Sequence, residues 1–193
     1  MVTNILIMGV GGQGLVLATN ITAQVAANAG NQVKTNDVIG LSQRGGMVWG
    51  SIRYGQEVHS VNVPIGQGDV LLGMEPLEAL RGSRLLKEGA TIILNTKKVY
   101  PSPVFLEQAE YPDQEIADLE KKFKVIYVDA DKEAKESGNV KTANIIQLGI
   151  LAGVLDIDHD IWLDTIVSSV PEKAIEANRK AFQRGLEIAS ENK

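Results

Sequence analysis

Cysteine is absent from this 193-residue sequence, and histidine occurs only at His59 and His159. Iron–sulfur clusters need cysteine thiolates, and most structural zinc sites need cysteine together with histidine. The sequence therefore predicts no metal site on this chain. Any metal-based electron transfer is expected to use another chain.

Positive charge is also scarce, with 19 lysines and arginines against 24 aspartates and glutamates and a net charge of −5. This balance disfavours nonspecific nucleic-acid binding. The start, MVTNILIMGVGG, lacks the basic region and cleavage site of a signal peptide. The longest later apolar run, Ile145 to Leu155, has about 11 residues, whereas a bilayer span needs about 20. We therefore expect a cytoplasmic protein without a membrane segment.

Short apolar runs alternate with helical patterns, and no linker or repeat divides the chain, so residues 1–193 are expected to form one domain. Strands are predicted over Thr3 to Met8, Gln32 to Asn36, Met47 to Tyr54, Glu57 to Val63, Asp69 to Met74, Thr91 to Leu94 and Lys124 to Asp129. Helices are predicted over Leu15 to Ala29, Pro76 to Leu86, Gln114 to Phe123, Lys141 to Leu155, Ile161 to Val167 and Glu172 to Ser190.

The order of these elements predicts an α/β fold, a three-layer Rossmann-like domain with a mostly parallel sheet plus an antiparallel hairpin. The first two strands would flank a helix in one βαβ unit. The hairpin is expected to turn at Gly55 and Gln56. Gly149 and Gly153 share one face of a helix and predict close helix packing there.

The first candidate site is a glycine-rich loop between the first strand and helix, Gly9-Val10-Gly11-Gly12-Gln13-Gly14. It matches the G-x-G-x-x-G pattern, which lets backbone approach a pyrophosphate at a helix amino terminus. No acidic residue clearly ends the second strand, where Thr35 and Asn36 stand, so NAD specificity is unsupported. The alternative is a tight turn that faces a partner subunit.

The second candidate is the polar loop Ser42-Gln43-Arg44-Gly45-Gly46. Glycines beside Arg44 would let the loop present a guanidinium group to a carboxylate or phosphate. An internal ion pair that braces the loop is the alternative.

Other polar residues are weaker candidates. Glu75 and Asn95 follow predicted strands, at the edge where open α/β sheets bind ligands, but helix capping and turn formation explain them equally well. On the predicted hairpin, Trp49, Arg53 and His59 are candidates for contact with a partner or ligand. No residue is predicted to be catalytic, because the motifs of self-contained active sites are missing.

Five segments together resemble the gamma-type subunit of 2-oxoacid:ferredoxin oxidoreductases: ILIMGVGGQG, DVIGLSQRGGMVWGSIRYG, GDVLLGMEPLEALR, GNVKTANIIQLGIL and VPEKAIEANRKAFQRGLE. The similarity spans nearly the whole chain, and GxGGQG with SQRGG is far more specific than a lone glycine pattern. The segment MEPLEALR is most similar to the beta subunit of indolepyruvate oxidoreductase.

The resemblance implies a complex that oxidatively decarboxylates a 2-oxoacid (indolepyruvate or another aryl pyruvate, pyruvate or 2-oxoglutarate) to an acyl-CoA. Such a complex uses thiamine diphosphate and 4Fe-4S clusters, with coenzyme A as co-substrate and ferredoxin as acceptor. This chain lacks both the cysteine ligands and the thiamine-binding signature, so those cofactors are expected on partner subunits. The family motifs present here are Gly9, Gly11, Gly12, Gln13 and Gly14, and the loop Ser42, Gln43, Arg44, Gly45 and Gly46.

Three hypotheses follow. In the first, both loops face the catalytic subunit near the path of the coenzyme A phosphates. In the second, the chain is a stand-alone dinucleotide-binding or regulatory module. In the third, it is a purely structural subunit that covers apolar surface. The sequence leaves open which 2-oxoacid and which electron acceptor the complex uses.

Overall fold

A six-stranded sheet forms the centre of the protein in a computed structural model that describes residues 2–39 and 46–192. The strands lie in the order β2-β3-β1-β4-β5-β6, with β1, β4, β5 and β6 parallel and β3 antiparallel to both β1 and β2. The predicted mixed, mostly parallel sheet is confirmed. The bounds are β1 (Val2–Val10), β2 (Gln32–Ile39), β3 (Met47–Gly55), β4 (Gly68–Gly73), β5 (Leu86–Asn95) and β6 (Lys124–Val128).

The predicted βαβ unit is wrong in its pairing, because β3 lies between β1 and β2. Nine residue pairs join β1 to β3, from Val2 opposite Gly55 to Val10 opposite Met47. The first strand therefore has β3 on one side and β4 on the other. Strand β2 becomes an edge strand that pairs with β3 alone.

The predicted strand over Glu57 to Val63 is wrong, and so is the hairpin at Gly55 and Gln56. Both edges of β3 are already occupied by β1 and β2. Side chains satisfy the backbone of the following segment instead: Arg53 donates to the carbonyl groups of Ser60 and Asn62, and Ser51 donates to that of Val61. The antiparallel part of the sheet is thus formed by β2, β3 and β1.

Eight α-helices are described. Helices α3 and α5 were not predicted, although Asp129 caps α5 by accepting a hydrogen bond from the amide of Lys132. Two predicted helices are shorter than expected, because α2 and α4 each continue into a tighter 3-10 turn, Ser83–Leu85 and Asp118–Lys121. The bounds are α1 (Leu15–Asn28), α2 (Pro76–Gly82), α3 (Ser102–Phe105), α4 (Asp113–Ala117), α5 (Ala130–Glu136), α6 (Ala143–Val154), α7 (His159–Ser169) and α8 (Ile175–Glu191).

Helices cover both faces of the sheet, as the three-layer prediction requires. Alternate residues of β1 enter different cores: Ile5 and Ile7 pack with α1, α6, α7 and α8, whereas Leu6 and Met8 pack with α2 and α4. The apolar strands seen in the sequence result from this burial on both faces. Within residues 2–39 and 46–192, no helix combines the length and apolar character needed to cross a membrane.

Candidate functional site

A pocket of about 690 Å³ opens at the edge of the sheet where β1, β4 and β5 end. The carboxyl edge of parallel strands is the usual ligand site of open α/β sheets. The glycine loop forms one wall, and residues after β4 and β5 with the start of α6 form the others. Its lining comprises Val10, Gly11, Gly12, Gln13, Gly14, Met74, Asn95, Lys97, Val99, Asp131, Val140, Lys141, Ala143, Asn144 and Gln147.

Gln13 fastens the glycine loop to the sheet. Its Oε1 accepts a 2.9 Å hydrogen bond from the amide of Val10, and its Nε2 donates a 2.9 Å bond to the carbonyl of Met74. A Cβ on Gly9 would lie 2.6 Å from that Oε1 and 2.9 Å from Cβ of Met74. Gly9 therefore makes room for Gln13 within β1, which differs from the predicted role of this glycine in a tight turn.

Gly14 is the amino-terminal cap residue of α1 and has a left-handed backbone, with φ of 78°. A Cβ there would lie 2.6 Å from Nδ2 of Asn144, the side chain that donates a 3.4 Å hydrogen bond to the Gly14 carbonyl. The last glycine of the motif thus allows close packing, as predicted, but against α6.

The structure brings the end of the second candidate loop against the glycine loop. The amide of Gly11 donates a 3.0 Å hydrogen bond to the carbonyl of Gly46. This contact uses a backbone amide that the pyrophosphate-binding hypothesis for the glycine loop would direct at a ligand. Ser42, Gln43, Arg44 and Gly45 lie outside the described residues.

Buried amide side chains from β5 and α6 line the pocket. Asn95 is 3% exposed and donates through Nδ2 to the Met74 carbonyl and to Asp131, while its Oδ1 accepts from the amide of Ala130. Gln147 is 1% exposed and donates to the carbonyl of Gly73. The two side chains join the ends of β4 and β5 to α5 and α6.

Lysines stand beside this polar lining. Lys97 forms an ion pair with Asp131 at 2.5 Å, and Lys141 lines the pocket from the turn before α6. Sequence reasoning missed Asn144, Gln147, Lys97, Lys141 and Asp131 as lining residues. The available signal was a polar Asn144 and Gln147 within an otherwise apolar helix.

These features agree with a family match over most of the chain. The sequence profile of the pyruvate ferredoxin/flavodoxin oxidoreductase family matches residues 4–188. The chain belongs to this family.

Two similar proteins match the chain over nearly its whole length. The chain is 39% identical over 196 residues to indolepyruvate oxidoreductase subunit IorB of Pyrococcus horikoshii, covering 97% of this chain and 96% of that one. The gamma subunit of keto/oxoacid ferredoxin oxidoreductase from Geobacter sulfurreducens has a TM-score of 0.77 and 27% identity, covering 99% and 98% of the two chains.

The same fold also occurs inside a larger polypeptide. The 2-oxoglutarate:ferredoxin oxidoreductase of Magnetococcus marinus matches with a TM-score of 0.78 and 17% identity, covering 98% of this chain but 31% of that one. The likeness at this identity is one of fold.

A buried carboxylate organises another part of this edge of the family fold. Glu75 is 1% exposed and is the amino-terminal cap of α2, where its carboxylate accepts a hydrogen bond from the amide of Glu78. Pro76 occupies the first turn of the helix, a position that tolerates proline. Its Oε1 also accepts hydrogen bonds from the amide of Val99, at 3.2 Å, and from the hydroxyl of Tyr111, at 2.6 Å. Burial, together with the contact to Glu75, raises the pKa of Tyr111.

The polar candidates on the predicted hairpin lie away from the pocket. Arg53 is used internally, since its Nε donates to Asn4 at 2.7 Å in addition to its backbone contacts. His59 is well exposed and lies 3.5 Å from Glu57. Trp49 is half-buried against the core on the α2 side of the sheet. None of the three lines the pocket described above.

Proposed function

We propose that this chain is an accessory subunit of a 2-oxoacid:acceptor oxidoreductase complex, spans one gamma-type domain over residues 1–193, and works in the cytoplasm. The observation that carries the proposal is the 39% identity, over nearly all of both chains, to a protein named as a subunit of indolepyruvate oxidoreductase. The complex would oxidatively decarboxylate a 2-oxoacid and form an acyl-CoA.

The absence of cysteine supports a division of labour within that complex. No residue of this chain provides the thiolates that iron–sulfur clusters require. The clusters and thiamine diphosphate would therefore belong to partner subunits, which would pass electrons to ferredoxin. This chain would contribute surface and positioning, not the reacting groups.

The pocket at the carboxyl edge is the proposed approach of coenzyme A. The two family loops meet there through Gly11 and Gly46, and Lys97 and Lys141 supply ammonium groups suited to phosphates. In this proposal Gly9, Gly14 and Gln13 shape the loop, and Gly12 and Arg44 face the ligand or the catalytic subunit. Ser42, Gln43 and Gly45 would shape the second loop around Arg44.

Indolepyruvate, or another aryl pyruvate, is the proposed 2-oxoacid. The support is the higher identity to the indolepyruvate oxidoreductase subunit, 39%, than to the gamma subunit of the keto/oxoacid enzyme, 27%. Substrate contacts would lie mainly on the thiamine-binding subunit, so the test is turnover of the whole complex with indolepyruvate, pyruvate and 2-oxoglutarate in parallel.

Purification of the native complex through a tag on this chain tests the subunit assignment. A brown preparation that contains a thiamine-diphosphate subunit and a cysteine-rich subunit, identified by mass spectrometry, would support it. A colourless, partner-free protein would contradict it. Micromolar binding of NAD, NADP or FAD by that protein in calorimetry would instead favour a stand-alone nucleotide-binding module.

Arg44→Ala tests the proposed ligand path. We expect a higher KM for coenzyme A or a lower yield of complex. Arg84→Ala is the matched control, since Arg84 is exposed just before β5, at the opposite edge of the sheet. Unchanged KM and unchanged yield for Arg44→Ala would remove Arg44 from the site.

A further inference from the structure

We propose that the apolar ridge, defined as the side chains of Tyr100, Phe105 and Leu106, is the element by which this chain docks onto a different subunit of the oxidoreductase. The inference rests on the proposed function of the chain as a subunit. To that function the inference adds which part of this chain contacts the other subunit and the chemistry of the partner surface that binds the ridge.

The ridge brings three exposed, largely apolar side chains together on one short segment. Phe105 is 73% exposed and Leu106 is 64% exposed, side by side at the end of α3. Tyr100 is also exposed and lies edge-on to Phe105, with ring centroids 5.9 Å apart. Single exposed apolar residues are common, but a contiguous group that includes two aromatic rings is typical of an interaction site.

The ridge is held from within the protein. The buried carboxylate of Glu75 accepts hydrogen bonds from the amide of Val99 and the hydroxyl of Tyr111, one on each side of the ridge. Tyr111 in turn lies edge-on to Tyr100 at 5.2 Å. A segment that is ordered before binding loses less conformational entropy when it docks.

The backbone directly after the ridge forms the cap that ends α3. Glu107 has φ of 55°, and it is the one non-glycine residue with a positive φ among the residues described. Its amide bonds to the carbonyl of Val104 and ends α3 directly after Phe105 and Leu106. Together with the hydrogen bond from the Gln108 amide to the Pro103 carbonyl, this forms a Schellman cap, which fixes the backbone that carries Phe105 and Leu106.

The ridge is continuous with the edge that carries the pocket. Val99, the residue before Tyr100, lines the pocket together with Val140, which is also exposed. On the far side of the glycine loop, exposed Met47 pairs with Val10 at the end of β1. A partner that covers the ridge would also reach the mouth of the pocket.

The occupant is another protein subunit with an apolar recess rimmed by lysine or arginine. Exposed Glu107 and Glu110 follow the ridge in the chain and form no ion pair within the described ranges. The lysines that precede the ridge, Lys97 and Lys98, are each paired with an aspartate. A second copy or an anionic lipid surface would bring negative charge against them. The same fold makes up only 31% of the Magnetococcus marinus chain, so there it is joined to more than twice its own length of other protein.

Site-specific photocrosslinking tests this inference on the tagged chain in its native complex. The photoreactive residue p-benzoylphenylalanine replaces Phe105 in one sample. In the control sample it replaces Ile65, which is 78% exposed before the amino end of β4, at the opposite edge. We expect position 105 to crosslink to a peptide of another subunit of the complex, and position 65 to give no such product.

A variant that introduces negative charge into the ridge gives the second readout. Phe105→Glu combined with Leu106→Glu should lower recovery of the partner subunit about tenfold or more, because buried aromatic anchors dominate interfaces. Ile65→Glu should leave recovery unchanged. Both positions are exposed, so thermal unfolding of the isolated variants should match that of the unaltered chain.

The outcomes separate the two levels of proposal. If the unaltered chain recovers no other subunit, the proposed function fails. If the complex forms but position 105 crosslinks only to a second copy of this chain, to lipid or to nothing, the docking inference is overturned and the proposed function stands. Full partner recovery by the Phe105→Glu, Leu106→Glu variant would overturn it equally.

Discussion

Gly149 on α6 and Gly185 on α8 lie in direct backbone contact. A Cβ on Gly149 would come 2.8 Å from Cα of Gly185 and 2.3 Å from the carbonyl oxygen of Phe182, and a Cβ on Gly185 would come 2.2 Å from the carbonyl oxygen of Ile146. Both helices therefore cross at a distance that only glycine allows, and this contact fixes α6, whose amide side chains line the pocket.

Gly149→Ala should lower the free energy of unfolding by about 2–3 kcal/mol, because the added methyl group meets backbone atoms and the helices must separate. Urea denaturation measures the change. Gly138→Ala is the control: Gly138 has φ of 102° and no atom within 4 Å of a built Cβ, so only backbone strain of about 1–2 kcal/mol is expected. A Gly149→Ala protein as stable as the unaltered chain would contradict the close crossing.

Tyr111→Phe should destabilise the protein by about 1–3 kcal/mol, because Glu75 loses a buried donor and the amide of Leu77 loses its acceptor. Hydrogen exchange should also quicken at the amide of Val99 and along residues 100–106. Tyr100→Phe is the matched control, since its hydroxyl forms no hydrogen bond among the described residues. Equal exchange in both variants would show that Glu75 does not order the ridge.

Gln13→Glu should destabilise the glycine loop, since a carboxylate oxygen would replace the amide that donates to the Met74 carbonyl. The expected loss is about 1–3 kcal/mol in urea denaturation. Gln108→Glu, an exposed change of the same kind, should alter stability by less than about 0.5 kcal/mol. Equal unfolding free energies for the two variants would show that Gln13 does not hold the glycine loop to the sheet and that its side chain is free to contact a ligand.

Glu78 should make stability depend on pH. Burial raises the pKa of this carboxyl, as does the neighbouring Glu75, while Arg81 at 2.6 Å opposes the shift. Because the folded pKa is above the unfolded value, this contribution to stability is fully present below about pH 4.5 and is lost as pH rises through the folded pKa. One carboxylate oxygen, Oε2, is buried without a partner among the described atoms.

The measurement is the unfolding free energy of the unaltered chain and of Glu78→Gln from about pH 4 to pH 8. As pH rises, the unaltered chain should lose unfolding free energy relative to Glu78→Gln. Exposed Glu88→Gln should follow the unaltered chain throughout. Parallel curves for Glu78→Gln and the unaltered chain would show that the buried carboxyl has no raised pKa.

The predictable part of the candidate site was its glycine loop, because strand, glycines and helix are consecutive in the sequence and need no distant partner to be recognised. The partners of that loop were not predictable. Gln13 bonds to Met74, 61 residues away, and Gly14 packs against Asn144, 130 residues away. Local propensities say nothing of contacts at such separations.

The failed hairpin has the same cause. The alternation of apolar and polar residues after Met47 predicts a strand but does not say which strands pair with it. Whether residues 57–63 could pair with β3 depended on whether β3 had a free edge. Strands β1 and β2 occupy both edges of β3. The backbone carbonyl groups of residues 60–62 therefore accept hydrogen bonds from the side chains of Arg53 and Ser51.

The sequence by itself determined the family, the lack of cluster ligands, the α/β class and the burial of both sheet faces, because these follow from composition, consecutive motifs and hydrophobic period. Tertiary structure alone decided the insertion of β3 between β1 and β2, the amide lining of the pocket and the hold of Glu75 on Val99 and Tyr111. Those features join residues far apart in the chain, and only packing of the whole fold selects one set of distant partners over another.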